Sequence, residues 1–221
     1  MRITAILFDF GGVLTPSPFG ALRAWHAARG IDPELGLQTL FGPYDRDTDH
    51  PWHQLERGEI PASSAIARIR QAAAAQGFDL DLPSLFRAMG GSAAIRQEVV
   101  SKVLALRAAG YRTALVTNNI KEYSSTWRAQ IAVDDMFDAV VDSSAVGVRK
   151  PDARIYRLAL EQLGAQPEES VFLDDAPGNV EGARAVGMHA ILVEDDYARA
   201  LAELDALLAP EAEAADGNTG P

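Results

Sequence analysis

The stretch ITAILFDFGGVLT, Ile3 to Thr15, decides how the rest of the chain is read. Its first half is an apolar run of strand length without polar alternation, the pattern of a strand buried on both faces of a parallel sheet. The run predicts a strand over Ile3–Phe10. Asp9 stands at its carboxyl end, where an open sheet opens into its ligand crevice. Gly11 and Gly12 follow, so a carboxylate placed for chemistry has a glycine two residues on.

Four further runs have the same character: Thr113–Asn118, Ala139–Ser143, Val171–Asp175 and Ala190–Val193. Helical patterns separate most of them. Ala93–Ala109 stops at Gly110, Asp152–Leu163 follows Pro151 and stops at Gly164, and Asn179–Val186 stops at Gly187. Strands alternating with helices predict right-handed βαβ units and an α/β fold with a doubly wound, Rossmann-like parallel sheet.

The segment 16–91 departs from that alternation. It has no convincing strand but several helical patterns, Phe19–Ala28, Ala62–Gln76 and Pro83–Met89, with Gly-Pro and His-Pro turns and the acidic piece Asp45–Asp49 between them. It reads as a helical cap inserted after the first strand, which leaves residues 1–15 and 92–209 for the core. Residues 210–221, with EAEAADGNTG between two prolines, have too little apolar surface to fold and are expected to be a disordered tail.

Composition narrows the function. A 221-residue chain with 48% hydrophobic and 23% charged residues is long enough for one core domain plus a large insertion. Its net charge of -11 argues against nucleic acid or an anionic membrane as partner, since both need a basic face. An anionic small molecule remains open if local cations offset the field. The absence of cysteine excludes disulfides, zinc-thiolate sites and thiol nucleophiles, and fits a cytoplasmic protein. No segment reaches the length of a membrane span, and the first run lacks the cleavage site of a signal peptide.

The residues that end the strands form the candidate site. They are Asp9, then Thr117 and Asn118, then Lys150 before Pro151, then Asp174 and Asp175. A nucleophile, a hydroxyl, a cation and an acidic pair on one sheet edge suit phosphoryl transfer. Asp9 can attack phosphorus and form an aspartyl-phosphate. A magnesium ion, which prefers oxygen ligands, would sit between Asp9 and Asp175 and offset the repulsion between carboxylates and phosphate. Thr117 and the Asn118 backbone N–H can hydrogen-bond phosphate oxygens, while Lys150 supplies a point charge.

The segments FDFGGVLT, LVTNN, VRKP and FLDDAPGNVEGA, in that order, resemble the four motifs of the haloacid dehalogenase-like hydrolase superfamily, over roughly Ile3 to Val193. The helical insert is similar to that of its small-cap subfamily. WHQLERGEI, Trp52–Ile60, and RKPDARIY, Arg149–Tyr156, resemble the branch with bacterial sugar-1-phosphate phosphatases and the phosphatase domain of soluble epoxide hydrolase. The resemblance implies Asp9 as nucleophile, Thr117 and Asn118 as phosphate binders and Lys150 as the phosphate-orienting cation. It also implies Asp175 as a direct magnesium ligand and Asp174 as one acting through water.

Gly11 departs from that pattern, because family phosphatases typically have an aspartate there. Its carbonyl binds magnesium and its side chain protonates the leaving group. A glycine carbonyl keeps the first role and loses the second, and general acid catalysis is typically worth ~10²–10⁴-fold. The preferred reading is a substrate with a good leaving group, such as a sugar 1-phosphate. Two alternatives stand beside it: a haloacid dehalogenase-type hydrolase, since halide needs no proton, and a ligand-binding relative with little turnover. Family dehalogenases, however, usually carry tyrosine at this position and need no metal.

A receiver-like phosphate switch would combine similar residues, but its acidic pair would come first and its lysine last. His53 and Arg57, four apart in the insert, share a face if that piece is helical, and either could reach a substrate. Asn179 is a candidate to orient Lys150 or Asp175, and a role in the first turn of its helix is an equal alternative. Trp25, Trp52 and Trp127 read as packing residues, His26 and His189 as structural and His50 as a loop residue.

Overall fold

A computed structural model describes residues 2–88 and 94–209, with the Phe86 side chain left aside. Five strands form one parallel sheet: β1 Ala5–Phe8, β2 Arg112–Thr117, β3 Ala139–Asp142, β4 Ser170–Asp174 and β5 His189–Leu192, in the order β3-β2-β1-β4-β5. The chain winds outward from β1 in one direction and then, from β4, in the other. The order therefore reverses between β1 and β4, which is where an open sheet places its ligand crevice. Phe8 pairs in register with Leu115 on one side and Leu173 on the other, so Asp9 emerges into that crevice.

Both faces of the sheet are buried, as unalternated apolar runs require. One face, with Ile6, Phe8, Leu115 and Leu173, packs under α6 (Gln97–Ala108), α8 (Val133–Met136) and α12 (Tyr197–Leu208), together with fully buried Trp127 on α7 (Ser124–Arg128). The other, with Leu7, Val116 and Phe172, packs on α10 (Ala153–Leu163) and α11 (Pro177–Ala185). The short α9 (Ser143–Val146) follows β3 and is capped by Asp142.

The described residues between β1 and α6 hold helices and loops but no strand: α1 Phe19–Ala27, α2 Pro33–Phe41, α3 Pro51–Glu56, α4 Ala62–Ala75 and α5 Leu82–Ala88. They enclose a second apolar core around Leu22, Leu37, Phe41, Ile69 and Leu85. His26 is buried against this core with Nδ1 2.8 Å from the Leu22 carbonyl oxygen. Gly36 on α2 lies against the His26 ring, where a Cβ would overlap it, so glycine lets the two helices meet.

The structure corrects several boundaries. The strand expected over Ile3–Phe10 spans Ala5–Phe8, because Phe10–Leu14 folds into a tight turn closed by the Thr15 N–H donating to the Phe10 carbonyl at 3.2 Å. The other strands differ from expectation by about one residue. The helix expected from Ala93 starts at Gln97: Arg96 is extended and donates its backbone N–H to the Leu14 carbonyl at 2.8 Å. Ala93 itself, Met89, the expected junction at 91/92 and the expected tail 210–221 lie outside the described residues. His50 is no plain loop residue, since its ring accepts from Trp52 N at 3.2 Å and caps α3. No helix among the described residues is long and apolar enough to cross a membrane.

Candidate active site

The turn after β1 builds the first part of the site. Asp9 donates its backbone N–H to the Leu173 carbonyl at 2.9 Å, and its Oδ1 accepts from Phe10 N at 2.7 Å. The chain then reverses through Gly12 at φ +76°, a left-handed conformation that suits glycine. A Cβ there would overlap the Asp175 carboxyl, so glycine also permits the close approach. Arg96 holds the turn from outside, donating from Nη1 to the Gly12 carbonyl at 2.6 Å.

Lys150 reaches the same point from the loop before α10. Its side chain is fully buried, with Nζ 2.8 Å from Asp9 Oδ1, 2.6 Å from Asp174 Oδ2 and 2.8 Å from the Val116 carbonyl oxygen. Asn118 fixes its backbone from both sides, since Oδ1 accepts from Lys150 N at 2.8 Å and Nδ2 donates to the Lys150 carbonyl at 3.1 Å. Thr117, which ends β2 opposite Asp142, is buried. Lys150 is therefore a buried ion-pair partner at the crevice.

The acidic pair divides its work. Asp174 Oδ1 accepts from Ala176 N at 2.8 Å, and Asn179 Nδ2 donates to both Asp174 oxygens at 3.0 and 3.1 Å. Asn179, expected to orient Lys150 or Asp175, therefore orients Asp174, because the first turn of α11 points it back at the end of β4. Asp175 stays inside the site, and its buried Oδ2 has no hydrogen-bond partner among the described residues.

Asp9, Asp174 and Asp175 each offer a carboxylate oxygen within 4.8 Å of the others. Burial pushes the Asp9 carboxyl well above the usual range against the pull of Lys150. Burial, with Asp174 beside it, pushes Asp175 up to about 7. Burial alone would lower the Lys150 ammonium, but Asp174 and Asp9 outweigh it and hold it above the ordinary lysine value. One ammonium among three carboxylates leaves negative charge uncompensated, and Asp175 Oδ2 is an unused hard oxygen donor. Both features fit a divalent cation.

Gly11 is extended, with φ −69° and ψ 133°, and no heavy atom other than its chain neighbours lies within 4 Å of an ideal Cβ. Beside the acidic cluster a cavity of about 700 Å³ runs between core and insertion, with Asp175, Phe19, Tyr44 and Leu192 in its walls.

His53 and Arg57, the candidates from the insert, do not line this cavity. His53 is buried, its Nδ1 accepting from Thr48 N at 3.0 Å. Arg57 donates to Asp47 and, at 2.7 and 3.0 Å, to Glu59. The neighbouring Glu56, passed over in the sequence, instead joins insertion to core. Its Oε2 accepts from Arg149 Nε at 2.7 Å, its Oε1 from Trp52 Nε1 at 2.8 Å, and its backbone carbonyl from Ser143 Oγ at 2.7 Å. Arg149 is wholly buried next to Lys150. Neither residue carries a local sequence signal beyond lying in WHQLERGEI and RKPDARIY. Of the remaining aromatic and histidine residues, Trp25 is buried in the insertion core, whereas His189 is exposed at the start of β5.

Fold and crevice together place the chain among α/β proteins that carry a carboxylate cluster where the strand order of a parallel sheet reverses. It belongs to the haloacid dehalogenase-like hydrolase family, whose profile matches residues 3–187. It is 30% identical over 233 residues to phosphatase MT3486 of Mycobacterium tuberculosis, covering 94% of this chain and 98% of that one. It is 32% identical over 209 residues to acyl-CoA dehydrogenase family member 10 of Mus musculus, covering 92% of this chain but 19% of that much longer protein. Its fold matches a HAD family enzyme of Bacteroides thetaiotaomicron, solved with magnesium and inorganic phosphate, at a TM-score of 0.59 and 21% identity, over 88% of this chain and 96% of that one. The chain is thus a member of this hydrolase family, with a phosphatase among its relatives.

Proposed function

We propose that the protein is a magnesium-dependent phosphatase that hydrolyses a small phosphorylated metabolite through an aspartyl-phosphate on Asp9. The observation that carries this reading is the buried ammonium of Lys150, 2.8 Å from Asp9 Oδ1 and 2.6 Å from Asp174 Oδ2, at the edge of the acidic cluster.

The division of oxygens suggests the chemistry. Asp9 Oδ1 is held by Phe10 N and Lys150, which leaves Oδ2 for attack on phosphorus. Lys150, anchored through Asn118 and Asp174, lends positive charge to the phosphoryl oxygens, and Thr117 with the Asn118 N–H binds them. Asp9, Asp175 and the Gly11 carbonyl are the groups that would hold magnesium, with Asp174 near enough to act through water while it holds the lysine. Bound there, the ion would neutralise charge on the carboxylates and the phosphoryl group. Gly11 lends no side chain to the departing oxygen. A sugar 1-phosphate, whose anomeric oxygen leaves readily, is therefore the first substrate to try.

Phosphate release from a panel of phosphorylated metabolites tests the proposal. Release that disappears with Asp9→Asn and with chelation supports it. No release from any sugar, alcohol or nucleotide phosphate rejects it, and metal-independent halide release would put a dehalogenase in its place.

A further inference from the structure

The cavity raises a question the phosphatase reading leaves open: which group serves the departing oxygen when position 11 has no side chain? The space in front of Gly11 is empty of heavy atoms other than its chain neighbours to 4 Å, so its immediate surroundings supply no substitute. The cavity that reaches the acidic cluster at Asp175 is the nearest space for the rest of a substrate, and residues of the helical insertion form much of its wall.

We propose that the Tyr44 hydroxyl is the hydrogen-bond donor to the leaving-group oxygen. Tyr44 and Asp175 line the same cavity. The ring is fixed by two edge-on aromatic contacts, Phe19 at 5.0 Å and 90° and Phe41 at 5.7 Å and 75°. The backbone is fixed as well, because it lies so close to Gly178 in the first turn of α11 that a Cβ there would overlap the Tyr44 carbonyl. A half-buried phenol is thus held in register with the helix that follows Asp174 and Asp175. No partner for its hydroxyl is found among the described residues, whereas two other donors in the walls are engaged. Arg23 Nε is 2.7 Å from Glu34 Oε1, and Arg46 Nη1 is 3.2 Å from Asp45 Oδ2.

The electrostatic setting keeps the phenol protonated. Burial first, then Glu56 against Arg149, and then Asp175 and Asp9 oppose a phenolate, so the group remains a donor at neutral pH.

This assignment rests on the phosphatase reading, and its step balances as follows. The Asp9 oxygen–phosphorus bond forms as the bond from phosphorus to the leaving oxygen breaks, and the departing oxygen keeps the electron pair. It accepts the Tyr44 hydrogen bond as its charge grows and takes its proton from water, and the hydroxide so formed neutralises the proton that a second water gives up in the next step. Water then cleaves the aspartyl-phosphate to phosphate and the free carboxylate.

The test compares Tyr44→Phe with the parent on two probes, p-nitrophenyl phosphate, whose anion leaves unaided, and glycerol phosphate, whose alkoxide does not. The expected result is a fall of about 10–100-fold in kcat on glycerol phosphate, the range of one hydrogen bond to a charged group, with kcat on p-nitrophenyl phosphate within about twofold. In a Gly11→Asp background the Tyr44→Phe change should cost no more than about twofold on glycerol phosphate, because the new acid serves the same oxygen, whereas a merely structural defect would cost the same in both backgrounds. An equal fall on both probes, or no fall on either, overturns the assignment while turnover by the parent upholds the phosphatase reading. If the parent releases phosphate from neither probe nor from any metabolite, both fail together.

Discussion

Gly12 lies so close to Asp175 that the carboxylate occupies the place a Cβ would take, whereas its neighbour Gly11 faces open space. Two adjacent glycines in one turn therefore have opposite meanings. The first to be expected from a family comparison, Gly11, is a missing side chain. The second, Gly12, is a packing requirement at φ +76°.

Gly12→Ala should lose activity and stability together, by more than about 1 kcal/mol, because it adds left-handed strain to a collision with Asp175. Gly11→Ala, at a backbone conformation open to any residue, should leave the melting temperature unchanged or raise it by a few degrees. Melting curves of the two variants side by side check the contrast.

Gly11→Asp should be accommodated by the fold and raise phosphate release from alkyl phosphates by about 10²-fold or more, because a general acid then reaches the departing oxygen. The gain should be small on p-nitrophenyl phosphate. A variant that melts normally and shows no gain on either substrate would mean that position 11 does not face the leaving group.

Magnesium should raise the melting temperature of the parent protein. At about 100 times its dissociation constant the stabilisation is about 2.7 kcal/mol, or roughly 5–10 °C for a chain of this size. Asp175→Asn should abolish the shift, since it removes a hard donor without removing the fold. A shift of equal size in that variant would move the ion elsewhere.

The Glu56–Arg149 pair ties the insertion to the residue before Lys150. Glu56→Ala would strand a fully buried guanidinium, whose remaining carboxylate, Asp47, is 3.6 Å from Nη1 and shared with Arg57. Urea titration should show a loss of about 3–5 kcal/mol. Adding Arg149→Met should recover much of it.

His53 makes the fold sensitive to acid. Burial first, and then Arg149, His50 and Arg57, lower its pKa from 6.5 to about 3, while Asp47 at 3.7 Å is already shared with Arg57. Below about pH 6.5 the unfolded chain takes up a proton that the folded chain refuses until about pH 3. The contribution of neutral His53 is therefore full above pH 6.5 and declines as pH falls, by up to ~1.4 kcal/mol per pH unit. His53→Asn should flatten the fall of stability between pH 6.5 and 4 relative to the parent, measured by urea titration at each pH.

The sequence by itself determined the sheet and the order of its chemistry. A strand buried on both faces is a continuous apolar run, and the residue that ends it must emerge at the crevice, so Asp9, Thr117 and the pair Asp174–Asp175 were legible from local pattern. Only the tertiary structure decided how the groups are shared. Lys150 is buried because Asn118, Val116 and Asp174 meet it from segments far away in the chain, and Asn179 turns to Asp174 because of where α11 begins. Glu56 meets Arg149 across 93 positions, and Arg96 reaches Gly12 across 84. Tyr44 faces the cavity because Phe19, Phe41 and Gly178 hold it there. Periodicity and capping report what neighbouring residues require of one another, whereas these contacts arise only when burial forces distant polar groups to find partners in a dry interior.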